Sequence, residues 1–182
     1  MSELTGGRTT GCAEFAALLL DSHLRIVGTP LCARRWADGH DAADWLYEKA
    51  SFGLLAHDTS ADPRFVYANR TAQRCFGYTE QEFAGLPSRL SAAADAQEDR
   101  DAIVATVTRY GFADGYRGRR ARKDGSLFWI EEVCMWDLVD AHGLRHGQAA
   151  VFRSWSDTTD RGRAAPAHRQ PSTRRLTKPA YL

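Results

Sequence analysis

The sequence predicts an α+β chain: two short strands, several short helices and one longer helix lead into a three-stranded antiparallel meander. Three observations predict this. Residues 52–68 hold two short apolar runs around a dense cluster of turn formers. Residues 69–110 are punctuated by helix caps and glycine stops. Residues 111–155 hold three strand-like runs separated by Lys123-Asp-Gly-Ser126 and Asp140-Ala-His-Gly143.

The first element lies before the strands. From Ala13 to Val27, Phe15, Leu18, Leu19 and Ile26 share one face of a helix that Gly28 stops. Residues 31–41 read as a loop, and Asp41 is placed to cap a second short helix presenting Ala43, Leu46, Tyr47 and Ala50. Phe52 to His57 reads as a strand, Asp58 to Pro63 as a turn closed by the Asp58 and Asp62 side chains, and Arg64 to Ala68 as the returning strand. Asn69 is positioned to cap the helix of residues 70–76, which Gly77 ends. Thr79 and Glu82 form a capping-box pattern for the next short helix, with Gly85 as its stop. Between Ala96 and Tyr110 a longer helix puts Ile103, Val107 and Tyr110 on one face. Strands follow over 112–122, Leu127 to Val139 and 146–155, the first two joined by a two-residue Asp-Gly turn.

The composition fits one globular domain with flanking sequence. In 182 residues, 43% are hydrophobic and 26% charged, and the net charge is +1. Six of the 24 Lys and Arg, and none of the 23 acids, follow Asp160, so residues 1–160 carry −5 and the tail +6. No apolar run approaches the ~20 residues that span a bilayer. The N-terminus has no basic segment leading into an apolar one, so the expected location is the cytoplasm. Four scattered cysteines without C-x-x-C or nearby histidine argue against a structural zinc site.

The run from Arg64, R-F-V-Y-A-N-R-T-A-Q-R-C-F-G-Y-T-E-Q-E-F-A-G, resembles the PAS pattern of a strand ending in Asn, a short helix and a Phe-Gly-Tyr corner. Closer still is the MEKHLA domain family, a PAS-related group. Leu18 to Leu31, Ala56 to Asn69, Leu86 to Ala92 and Gly111 to Phe152 resemble it, the last stretch including M-W-D-L-V-D and H-G-Q-A-A-V-F. The resemblance spans roughly residues 18–152. It implies a five-stranded antiparallel sheet with short helices on one face. The chain then divides into an N-terminal helical extension (1–51), a PAS-like core (52–155) and a basic, Pro-containing tail (156–182).

PAS domains keep ligands between sheet and helices, so cofactors are the first question. In the flavin-binding photosensory branch a reactive cysteine follows the glycine-stopped helix. Here Ser88 takes that place, and Ile130 replaces an amide that would bond the flavin ring. Haem is disfavoured because residues 96–110 contain no histidine. His57 and His142 read as satisfied or solvated imidazoles. Catalysis is not expected: Ser88 has no strained elbow, and adjacent His57 and Asp58 would point to opposite faces of a strand.

Alternation along Leu127 to Val139 puts Phe128, Ile130, Glu132, Cys134, Trp136 and Leu138 on one face, with Trp129, Glu131, Val133, Met135, Asp137 and Val139 on the other. The flavin-facing parity makes the first set inward. The candidate pocket is therefore Phe76, Leu90, Ile103, Val107, Tyr116, Ile130, Glu132 and Trp136, with Arg89, Arg120 or Tyr116 available to partner Glu132. These apolar residues serve equally as packed core. The other face is expected to be covered by the helix of residues 13–27 or by a second subunit, with Phe15, Leu18, Leu19, Trp129 and Met135 at the interface. The sequence thus suggests a sensory or interaction module for a small molecule, a protein partner or a second copy of itself. A stand-alone binding or catalytic protein using the same cavity is the alternative. The tail reads as a solvated end, with an anionic partner or nucleic acid as the lesser reading.

Overall fold

A computed structural model of the chain describes residues 12–157. The basic tail read from the sequence falls outside the described residues, apart from its first two positions, which belong to the last strand. The elements are α1 (Ala13–Val27), α2 (Gly39–Asp44) running into a π-helical turn (Trp45–Lys49), β1 (Gly53–His57), β2 (Phe65–Ala68), α3 (Arg70–Phe76), α4 (Glu80–Phe83), two 3-10 turns (Ser88–Ser91, Ala94–Ala96), α5 (Gln97–Tyr110), β3 (Phe112–Ala121), β4 (Leu127–Val139) and β5 (Arg145–Asp157). The five strands form one antiparallel sheet in the order β2-β1-β5-β4-β3.

Local chemistry explains most boundaries. The Thr79 hydroxyl accepts from the Glu82 N–H while the Glu82 carboxylate accepts from the Thr79 N–H, the reciprocal capping box. Asn69 caps α3 through its Oδ1, which accepts from the Ala72 N–H and also from the Leu54 N–H. Its Nδ2 donates to the Leu46 and Phe52 carbonyls. One buried amide thereby joins α3, β1 and the segment before β1. The cap of α2 is Asp38, not Asp41: the Asp38 carboxylate takes the Asp41 N–H, so the helix starts three residues earlier than the pattern suggests. Tyr110 ends α5 largely exposed, leaving Ile103 and Val107 as its buried face.

The turns depart from expectation in two places. Arg122 donates its N–H to the Ser126 carbonyl, and the Arg122 carbonyl accepts from the Gly125 N–H. The β3–β4 loop therefore has three residues, with left-handed Gly125 at its end, instead of two. In the β1–β2 turn, Asp58 Oδ1 accepts from the N–H groups of Ser60 and Arg64 as an Asx-type closure. Asp62 does not share this role, because its carboxylate is taken by Arg89.

Both sheet faces are covered. On one side α3, α4 and α5 pack over Leu55, Phe65, Phe128, Ile130, Val133 and Phe152. On the other, α1 and α2 pack over Leu54, Ala56, Cys134, Trp136, Leu138 and Val151. Phe15 and Leu19 of α1 are buried there, each contributing about 1.5–3 kcal/mol of apolar burial. The Trp136 indole donates to the Ser22 hydroxyl at 3.0 Å, and the His23 ring stands edge-on to that indole. Among the described residues no helix is long and apolar enough to cross a membrane.

The largest correction concerns β4. Its residues do not alternate through Glu132, which adopts φ 51°. A single left-handed residue adds a half-step to the pleat, and the β3–β4 register shifts across the same region. Ile130 and Val133, three apart, therefore face the same side, and Met135 follows them. Cys134, Trp136 and Leu138 turn to α1.

Candidate functional site

A cavity of about 50 Å³ lies between the sheet and α5. Leu55, Ile103, Ile130, Val133, Met135 and Phe152 provide its apolar wall. Its polar groups come from five elements.

His57 at the end of β1 stands directly opposite Gln148 of β5. The strands meet closely there because residue 147 is glycine: a Cβ on Gly147 would lie 1.8 Å from the His57 carbonyl oxygen. His57 is only 6% exposed, and burial lowers its pKa, so the ring is neutral at neutral pH. Its Nδ1 sits 2.9 Å from the Asp58 carbonyl. A carbonyl only accepts, so Nδ1 carries the proton and Nε2 is an acceptor. Gln148 is fully buried, and its Nε2 donates to the Asp137 carboxylate at 3.1 Å and the Thr108 hydroxyl at 3.2 Å. Its Oε1 is thereby the free acceptor.

From β3 comes Tyr116, whose ring lies across Gly118; a Cβ there would be 2.5 Å from the Tyr116 hydroxyl oxygen. The Arg120 guanidinium carbon is 5.6 Å from the Tyr116 ring centroid, approaching its hydroxyl outside hydrogen-bonding geometry. Arg120 is buried and donates to the Arg119 carbonyl. Burial works against its charge, while Tyr116 and Asp99 work in favour. Arg100 of α5, its side chain 12% exposed, donates to the Ser88 hydroxyl at 2.6 Å and to Asp101 at 2.8 Å.

Three buried side-chain atoms among the described residues have no hydrogen-bond partner: His57 Nε2, Tyr116 Oη and Gln148 Oε1. All three residues line this one cavity. Leaving such a group unmet costs about 1–3 kcal/mol, so this cavity is where the described residues leave the most polar capacity unmet.

The sequence-based candidates scatter around this site. Ile103, Tyr116 and Ile130 line it. Phe76 is neighbouring core, its ring centroid 4.9 Å from Phe128 and 6.2 Å from Phe152. Val107 packs in a separate cluster with Ile103, Ala113 and Met135. Leu90 is 47% exposed, and Arg89 is on the surface with Asp62. Glu132 is exposed and not a pocket carboxylate, because the bulge it occupies turns it outward. Trp136 lies on the opposite face under α1. Of the interface candidates, Phe15 and Leu19 are buried within the chain and Leu18 packs partly against the same core. Met135 is buried in the cavity wall rather than on the outer face, again because of the bulge. Trp129 is half-buried beneath Arg117, whose guanidinium is 3.8 Å from its ring centroid.

Sequence reasoning missed His57, Arg100 and Gln148 as pocket residues, and His57 is neither solvated nor fully satisfied. The bulge left one trace in the sequence: two adjacent acids, Glu131 and Glu132, break the alternation of the strand.

The family model of the MEKHLA domain matches residues 13–157. Among solved structures, the PAS domain of a protein from Colwellia psychrerythraea superposes with a TM-score of 0.51 at 18% identity, covering 62% of this chain and 90% of that one. A light-oxygen-voltage domain studied with a flavin analogue gives 0.50 at 21% identity, covering 60% and 78%. At these identities the likeness is one of fold. No curated protein matches the sequence.

Proposed function

The chain belongs to the MEKHLA domain family, and we propose that it works as a sensory module holding a small polar molecule between its sheet and α5. The observation that carries this reading is the convergence of three unpartnered buried polar atoms on one cavity. The light-oxygen-voltage neighbour raises flavin as an occupant, and the residues do not fit it. The cavity is far smaller than the 300–1,000 Å³ usual for drug-sized ligands. Ser88 is also committed to Arg100. In this reading the chain binds rather than catalyses: His57 accepts a hydrogen bond from the ligand, and the Ser88 and Ser91 hydroxyls at the cavity are bonded to Arg100 and to the Ser88 carbonyl rather than to His57.

Transmission follows from the sheet. Met135, Ala150 and Phe152 face the cavity, while the intervening Cys134, Trp136 and Val151 face α1. A packing change on one side moves strands that α1 rests on, so occupancy would be reported at the α1 face to a protein partner or second copy.

Small molecules released on denaturing the purified chain, identified by mass spectrometry beside its native mass, test the binding half. A stoichiometric molecule, reduced in Gln148→Leu, is expected. A native mass equal to the bare chain, with nothing released, overturns it.

A further inference from the structure

The chemistry of the occupant can be read from what the cavity presents, and this inference rests on the binding reading above. We infer that the site takes a short hydroxy carboxylate, its hydroxyl toward His57 and Gln148 and its carboxylate toward Arg100 and Arg120.

The two ends of the site ask for different groups. His57 Nε2 and Gln148 Oε1 are both acceptors and sit on residues directly paired across β1 and β5. A ligand must bring a donor there, which a bare carboxylate lacks. Tyr116 Oη both donates and accepts, so it can complete the arrangement from the β3 side. The cavity wall also carries two guanidinium groups, Arg100 and Arg120. Each has five N–H donors, more than the bonds described above use, and a planar fork suited to a carboxylate. Arg100 already has the Asp101 carboxylate on one edge, and an anion would offset the cost of holding the buried Arg120 cation out of water.

An amino acid would satisfy the acceptors equally well, but its ammonium would add a third positive charge beside the two arginines. The field of Arg100 already acts against a charge on His57. A neutral hydroxyl avoids that repulsion. Size sets the rest: 50 Å³ holds about three to five waters, or one molecule near the size of glycolate or lactate.

The test is a titration of the whole chain, followed by amide NMR shifts at constant ionic strength. The probes are sodium lactate and glycolate against propionate, 1,2-propanediol and alanine, each to about 10 mM, a range that reaches millimolar affinities. Lactate or glycolate should saturate at least tenfold more tightly than the other three, with shifts centred on residues 57, 116 and 148. Arg100→Gln, with its melting temperature checked because the side chain is 12% exposed and bonded to Ser88, should weaken the hydroxy acids at least tenfold and leave 1,2-propanediol unchanged. Arg120→Lys should do the same, provided its melting temperature is retained. Alanine binding more tightly than lactate overturns the inference. So does a retained molecule of another class with no response to these acids, although that result leaves the binding reading intact. No response to any probe, with nothing released on denaturation, makes this a water-filled cavity and removes both.

Discussion

Replacing Asn69 should cost more stability than any ordinary helix cap. The side chain is fully buried and makes four hydrogen bonds of 2.9–3.1 Å. In Asn69→Ala the Ala72 N–H loses its cap, worth about 1 kcal/mol. The Leu54 N–H and the Leu46 and Phe52 carbonyls lose their partner as well, at about 1 kcal/mol or more each when buried. The expected loss is about 4 kcal/mol, a large part of the 5–15 kcal/mol typical of a domain. Asn69→Ser keeps an acceptor for the cap and should recover only about 1 kcal/mol of it. Asn69→Asp keeps both accepted bonds but points an oxygen at two carbonyls, so it should remain far below wild type at pH 7. Its carboxyl, held where a charge is unfavourable, would have a raised folded pKa. Stability relative to wild type should therefore improve as the pH falls. Urea unfolding of the four proteins, with far-UV dichroism as the signal, measures the series. A loss under about 1.5 kcal/mol for alanine, fully restored by serine, would mean that Asn69 is only a cap and that the strand and loop bonds contribute nothing.

Three other outcomes are expected. Glu132→Gly should stabilise the fold by about 1 kcal/mol, because a residue with a Cβ pays about that much to sit at φ 51°; a loss of stability in urea would refute the bulge. Acid should destabilise the chain through His23 and His57, whose pKa values burial lowers. The unfolded chain binds their protons first, so stability is full above the ordinary histidine pKa of about 6.5 and falls at up to ~1.4 kcal/mol per pH unit per residue below it. A melting temperature that rises between pH 7 and 5.5 would contradict this. Thiol labelling of the native protein should reach Cys12 and Cys32 and spare Cys75 and Cys134. The latter two are buried, with pKa values pushed up by burial to about 11 and about 12. Peptide mapping that finds Cys134 labelled as fast as Cys32 would show that the α1 layer opens freely.

Much of the molecule was legible residue by residue. Asn69, the Thr79–Glu82 box and the glycines after α1 and α3 act within one helical turn of themselves, so their roles survive any tertiary arrangement. The bounds of α1 and β4 agree with the sequence reading to the residue, because a helical face and a strand between two turns are local patterns. The family resemblance supplied the five-stranded antiparallel sheet that they join, and the strand order came only with the structure.

The site was decided elsewhere. Alternation assigns faces only while every residue keeps extended dihedrals, and Glu132 alone shifts the phase of β4, sending Trp136 to α1 and Met135 to the cavity. The burial of His57 and its position beside Gln148 depend on which strand pairs with β1, a choice made across some 90 residues of chain. Arg100 and Arg120 converge only after α5 folds back over β3. Local patterns record a residue's relation to its neighbours in sequence. An unmet hydrogen bond inside a cavity is a relation among distant segments, and it exists only once they are packed together.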